Sequence, residues 1–148
     1  MSPVPSRQPI GLMLSQVSRV VSRAFDERLA EAGGSLPVWL VLLALMTRPA
    51  RSQADLAAEV GIRGATLSHH LDGMETAGLL TRRRDPGNRR LHLVELTPAG
   101  TELFHRLRAA AVAHDRRMRT SLSDDDVARL ADLLDRLRRN VRDGSEPG

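Results

Sequence analysis

The chain has 148 residues, of which 41% are hydrophobic and 27% charged, and its formal net charge is +4. That length suits one domain and can bury roughly 70% of the surface its unfolded chain exposes, so a real core is within reach. There is no cysteine, which excludes disulfides, thiolate metal sites and thiol redox chemistry.

All 22 basic residues are arginine. Arginine stays protonated at any physiological pH and meets phosphate with a planar fork. A net charge of +4 is too small to establish a polyanionic partner, so the distribution of the arginines decides. Phe25, Trp39 and Phe104 are the only aromatic residues. A core of Leu, Val, Ala and Met suits packed helices better than a large sheet. The first nine residues are polar and proline-rich, unlike a secretion signal. The apolar run from Leu36 to Met46 is too short to span a bilayer, and a cytoplasmic location is expected.

From Ile10 to Ala32, apolar residues fall at Ile10, Met13, Leu14, Val17, Val20, Val21 and Ala24, the spacing of one helix face. Gly33 and Gly34 stop it. Ser35 then reads as an N-cap with Pro37 in the first turn. The following "LPVWLVLLALM" is apolar on every side, which predicts a buried helix ending before Pro49. "RSQADLAAEVG" predicts a short helix with Ser52 as its cap and Asp55 three residues on. "IRGATLSHHLDGMETAGLL" predicts a second one, with Leu67, Leu71 and Met74 facing inward. Only a few residues around Gly61 separate the two, a helix-turn-helix pattern. Leu79–Arg84 and Arg90–Leu96 read as two strands. Asp85-Pro86-Gly87-Asn88 between them fits a type II turn, with Gly87 at the position that needs a positive φ. Thr97-Pro98 starts a long helix to about Thr120. Ser123 caps a last one whose apolar stripe is Val127, Leu130, Leu134, Leu137 and Val141, with Leu133 beside it. Residues 1–9 and 142–148 read as flexible tails.

A helix-turn-helix followed at once by an arginine-rich hairpin is a winged helix. A helix fits the major groove of DNA. The hairpin beside it can reach the adjacent minor groove, whose negative potential attracts arginine where the groove is narrow. The fold class expected is therefore mainly α with a small β-hairpin wing. "GSLPVWLVLLAL", "TLSHHLDGMETAGLL" and "RRRDPGNRRLHLVELTPAG" together resemble the MarR family of bacterial transcriptional regulators. The resemblance covers about Ile10 to Val141. The third motif carries it best, with Asp85-Pro86, Arg89-Arg90 and Leu96-Thr97 in the family's places. Asn88 stands where the family usually has an aspartate that holds the wing arginine. His69 stands where arginine is frequent, and His70 where an apolar residue is.

The resemblance implies one MarR-like domain over 1–148, with a DNA-binding lobe over 35–97. Residues 10–32 and 98–141 would be dimerisation helices that interlock about a two-fold axis. It implies a homodimer on a pseudo-palindromic double-stranded operator, with recognition helices roughly 34–36 Å apart. It further implies repression, relieved by a small phenolic or aromatic acid. The DNA-binding candidates are Ser52 and Gln53 on the first short helix, Arg63, Thr66, Ser68 and His69 on the second, and Arg82, Arg84, Arg89 and Arg90 on the wing. Arg83 points to the opposite side of its strand from Arg82 and Arg84. Plausible lining residues of a ligand pocket are Met13, Val17, Trp39, His70 and Phe104, although His70, at the edge of the core, reads first as a satisfied core histidine and only second as a ligand contact or pH sensor. No catalytic residue, metal site or cofactor is expected. Asp124, Asp125 and Asp126 suit a helix N-terminus better than a metal. Glu102 and His105 have a metal-compatible spacing but no evident third ligand. Two other readings are a ligand-independent architectural DNA-binding protein and a metal-dependent module or enzyme using Glu102, His105 and His114.

Overall fold

The computed structural model describes residues 8–143. Six helices and three strands follow in the order α1 (Ile10–Glu31), α2 (Leu36–Thr47), β1 (Arg51–Ser52), α3 (Gln53–Val60), α4 (Gly64–Thr76), β2 (Leu80–Asp85), β3 (Asn88–Leu96), α5 (Pro98–Met118) and α6 (Asp124–Asp143). The chain is mainly α with a β-hairpin wing, flanked by terminal helices, as its sequence implies. Two compact units divide it, one up to Val112 and one from Ala113 onward. Among the described residues no single helix is long and apolar enough to cross a membrane.

The first unit holds the core. Leu29 of α1, Val41, Leu42 and Leu45 of α2, Leu56 of α3, Leu67, Leu71 and Met74 of α4, Leu80 and Val94 of the wing, and Leu103 and Leu107 of α5 are all buried in it. Trp39 and Phe104 stack beside them with ring centroids 5.5 Å apart. Caps fix where the helices begin. The Ser35 Oγ accepts the Val38 N–H at 3.4 Å, and the Ser52 Oγ accepts the Asp55 N–H at 3.1 Å, each satisfying an otherwise orphaned donor. Although α2 is apolar all round, it is not buried all round: Leu36, Leu43 and Met46 reach the surface. A lobe this small cannot surround a whole helix, and one side of α2 stays open.

Gly61 adopts φ +70° and turns the chain from α3 to α4. Gly78 adopts φ +76° and closes α4. Leu79 N–H reaches back to the Met74 carbonyl at 2.9 Å, the six-to-one bond of a Schellman motif. The strand order is β1-β3-β2, all antiparallel. Strand β1, two residues long, was not evident from the sequence, because no alternation can be read in two residues. The register sets Arg82 across from Val94, Arg83 across from Leu93 and Arg84 across from His92.

The wing tip departs from the expected type II turn. Among the described glycines only Gly33, Gly61 and Gly78 have positive φ, and Gly87 does not. Instead the Asp85 Oδ1 accepts the Gly87 N–H at 2.9 Å. A side chain thus closes the turn, as aspartate does in an Asx-turn, and the left-handed conformation is not needed.

In the second unit, Ser123 and Asp126 form a reciprocal capping box at the start of α6. The Ser123 Oγ accepts the Asp126 N–H at 3.1 Å and the Asp126 Oδ2 accepts the Ser123 N–H at 2.9 Å. Leu130, Leu133, Leu134 and Val141 of α6 are exposed.

Candidate nucleic-acid interface

Helix α4 presents its apolar side inward through Leu67, Leu71 and Met74, all buried. Thr66 and His69 are therefore exposed, and Ser68 and His70 are half-buried. Arg63 is exposed and occupies the N-cap position without a capping side chain. The first N–H groups of α4 thus keep no side-chain partner there, and the positive end of the helix is open to an anion.

Beside α4 stands the wing, and its arginines have different fates. Arg83 is spent on Glu95, with Nε and Nη2 at 2.9 and 2.6 Å from Oε1. Arg82 turns toward α4 and pairs with both Asp72 and Glu75. Its guanidinium holds the Glu75 carboxyl below the usual carboxylate range, and the two acids raise its own pKa. Arg84, Arg89 and Arg90 are exposed and make no ion pair among the described residues. The Asn88 Oδ1 accepts the Arg90 backbone N–H at 3.1 Å. The asparagine therefore still organises the tip around Arg90, through the backbone and not through the guanidinium.

A cleft of about 320 Å³ separates the wing from the helix-turn-helix, lined by Ser52, Gln53, Gly64, Arg90, Leu91 and His92 among others. It brings together Ser52, Gln53 and Arg90 as candidates, and places the start of α4 beside them. His92 was missed from the sequence. Its signal is the period of two that puts it on the same side of β3 as Arg90. The Ser52 hydroxyl is already engaged as a cap, and Arg82 does not join the free arginines.

The five pocket candidates are more scattered. Trp39 and Phe104 stack in the core. Met13 and Val17 are exposed on α1. His70 lies with His69, Val38 and Leu79 along a groove of about 420 Å³ beside α4. Glu102 and His105 are exposed on α5, and among the described residues no group of three or more His, Asp or Glu side chains could hold a metal ion.

Known proteins are similar in sequence and in fold. The sequence model of the MarR family matches residues 32–91. A Bacillus subtilis protein described as the uncharacterized HTH-type transcriptional regulator YdgJ is 33% identical over 90 residues, which are 61% of this chain and 55% of that one. The chain thus matches about half the length of that relative. The structure of the transcriptional repressor CouR bound to a 23-mer DNA duplex is 28% identical, with a TM-score of 0.79 over 88% of this chain and 92% of that one. The Streptomyces coelicolor regulator PcaV, in complex with its natural ligand, is 25% identical, with a TM-score of 0.76 over 99% of this chain and 100% of that one. Residues 32–91 match the MarR family model, and with its helix-turn-helix, its arginine-tipped wing and its flanking helices the chain is similar to the winged helix-turn-helix transcriptional regulators of that family.

Proposed function

We propose that this chain is a cytoplasmic, homodimeric repressor that binds a pseudo-palindromic DNA operator and is released by a small organic ligand. The observation that carries the DNA-binding reading is the division among the wing arginines. Arg84, Arg89 and Arg90 remain without acidic partners next to a helix whose exposed side bears Thr66 and His69. Arginine and histidine there can donate to base edges and phosphates. Arg63 and Thr66, at the open N-terminus of α4, suit phosphate contacts, while Ser68 and His69 suit base edges. CouR, a relative of the same fold, is a repressor seen on DNA.

The dimer is supported by apolar surface that a single chain leaves in water. Ile10, Leu12, Met13, Leu14, Val17 and Val20 of α1 are exposed, as are Leu130, Leu133, Leu134 and Val141 of α6. Faces of this extent mark an association surface. The ligand is supported by the likeness to PcaV, which has a natural ligand. A phenolic or aromatic acid remains the class to test, with Met13, Val17, Trp39, His70 and Phe104 as its candidate lining residues.

Selection of bound sequences from random duplexes tests the function. The expected result is an enriched inverted repeat that the full chain binds as a dimer. His69→Ala and Ser68→Ala should then relax the preference for that repeat over a scrambled duplex. Recovery of no preferred sequence would favour the architectural reading.

A further inference from the structure

Helix α4 carries two acids, Asp72 and Glu75, in its second half, and no basic residue in its last turn. Both facts run against its expected partners. A carboxylate near a helix C-terminus opposes the helix dipole, and acids on a helix that approaches DNA repel phosphate. The contacts made by Arg82 account for both. Leu80 and Arg82 share one face of β2, and Leu80 is buried, so Arg82 is aimed at α4. Its guanidinium bridges the Asp72 Oδ1 and the Glu75 Oε1, the latter at 3.2 Å, and its backbone N–H donates to the Glu75 Oε2 at 2.9 Å. The Arg82 side chain is only 19% exposed. One residue thus ties the recognition helix to the wing through side chain and backbone together.

We propose that Arg82 is a positioning residue: with Asp72 and Glu75 it braces the wing against α4, so that Arg84, Arg89 and Arg90 meet DNA at a fixed angle to the helix. This inference rests on the DNA-binding reading and gives Arg82 a different role from the arginines near it. A brace and a DNA contact make opposite predictions for the acids. If Asp72 and Glu75 only repel phosphate, neutralising them tightens binding. If they anchor the brace, neutralising them frees the wing and weakens binding, despite the gain in net positive charge.

The test measures operator affinity of the full-length protein against salt concentration, for the wild type, Arg82→Ala, the isosteric double variant Asp72→Asn/Glu75→Gln, and the triple variant. Circular dichroism well below the melting temperature establishes that each is folded. The double variant should bind about tenfold more weakly, as coupled residues do when their network is cut. Arg82→Ala should show a similar loss with an unchanged salt slope, and the triple variant should be no worse than either. Tighter binding by the double variant would overturn the proposal. So would a salt slope for Arg82→Ala that is shallower by about one phosphate contact. A lowered melting temperature with unchanged affinity would reduce the three residues to fold stability alone. Should Arg82→Ala not fold, the sign of the double variant's effect decides. A wild-type chain without a preferred duplex would instead remove the DNA-binding reading itself.

Discussion

At the scale of single residues, what decides the interface is which arginines are already taken. The sequence shows five arginines around a turn, and period two separates Arg83 from Arg82 and Arg84. It does not show that Arg82 meets Asp72 and Glu75, because that contact joins a strand to a helix ten and seven positions earlier. Only the angle between α4 and the wing creates it. Arg90, by contrast, stays free, with its backbone anchored by Asn88. Arg90→Ala should weaken operator binding by about 1–3 kcal/mol in a folded protein. Arg83→Ala, whose guanidinium is held by Glu95, should cost clearly less. Titration of a fluorescent operator with both variants checks this, and equal losses would contradict the assignment.

At the scale of elements, most boundaries were legible because caps and glycines mark them. Ser35, Ser52 and Ser123 each accept the expected backbone N–H, and Gly61 and Gly78 take the left-handed conformations that end α3 and α4. The wing turn was misread because Pro-Gly satisfies two turn types, and the Asp85 side chain selects between them. Tight docking between elements was also hidden. The Thr97 Oγ1 donates to the Gly78 carbonyl at 2.5 Å and accepts the Gly100 N–H at 3.2 Å, drawing the start of α5 onto the junction of α4 and β2. A Cβ at Gly100 would lie 2.0 Å from the Leu79 carbonyl oxygen. Gly100→Ala should therefore destabilise the fold by roughly 1–3 kcal/mol, the range for overpacking, where a helix-interior Gly→Ala change is otherwise stabilising. Thermal melts followed by circular dichroism give the sign. The brace on α4 also depends on acid. The Glu75 pKa is lowered in the folded protein by hydrogen bonds from Arg82, so its contribution is present above the ordinary carboxylate pKa and is lost as pH falls through the lowered value. Protection of the β2 amides, measured relative to their intrinsic exchange rate at each pH, should fall at that acid end. In Glu75→Gln the protection should already be low at neutral pH and should lose much of this dependence.

At the scale of the whole molecule, the decisive feature is apolar surface that one chain leaves uncovered. Amphipathic periodicity made α1 and α6 legible as helices, but the same stripe serves equally for a core within the chain and for an interface between chains. The structure separates the two uses. The buried hydrophobic core residues all lie between Leu29 and Leu107, whereas Leu130, Leu133, Leu134 and Val141 are exposed, Val141 at 78%. Among the described residues, none of the buried hydrophobic core residues belongs to α6. Truncation after Ser121 should leave the helical signal of that lobe in place while removing the apolar stripe of α6, which we assign to the dimer. Sedimentation should then show monomer or aggregate in place of dimer. Operator affinity should fall by about 10²–10⁴, because the second half-site would no longer be bound at the high effective concentration that the partner provides. A single half-site duplex should be bound almost as well by the truncated chain as by the full one, since each lobe keeps its own α4 and wing. A truncated chain that still sediments as a soluble dimer would place the association surface elsewhere. The exposed stripe of α1, from Ile10 to Val20, would be the next face to test.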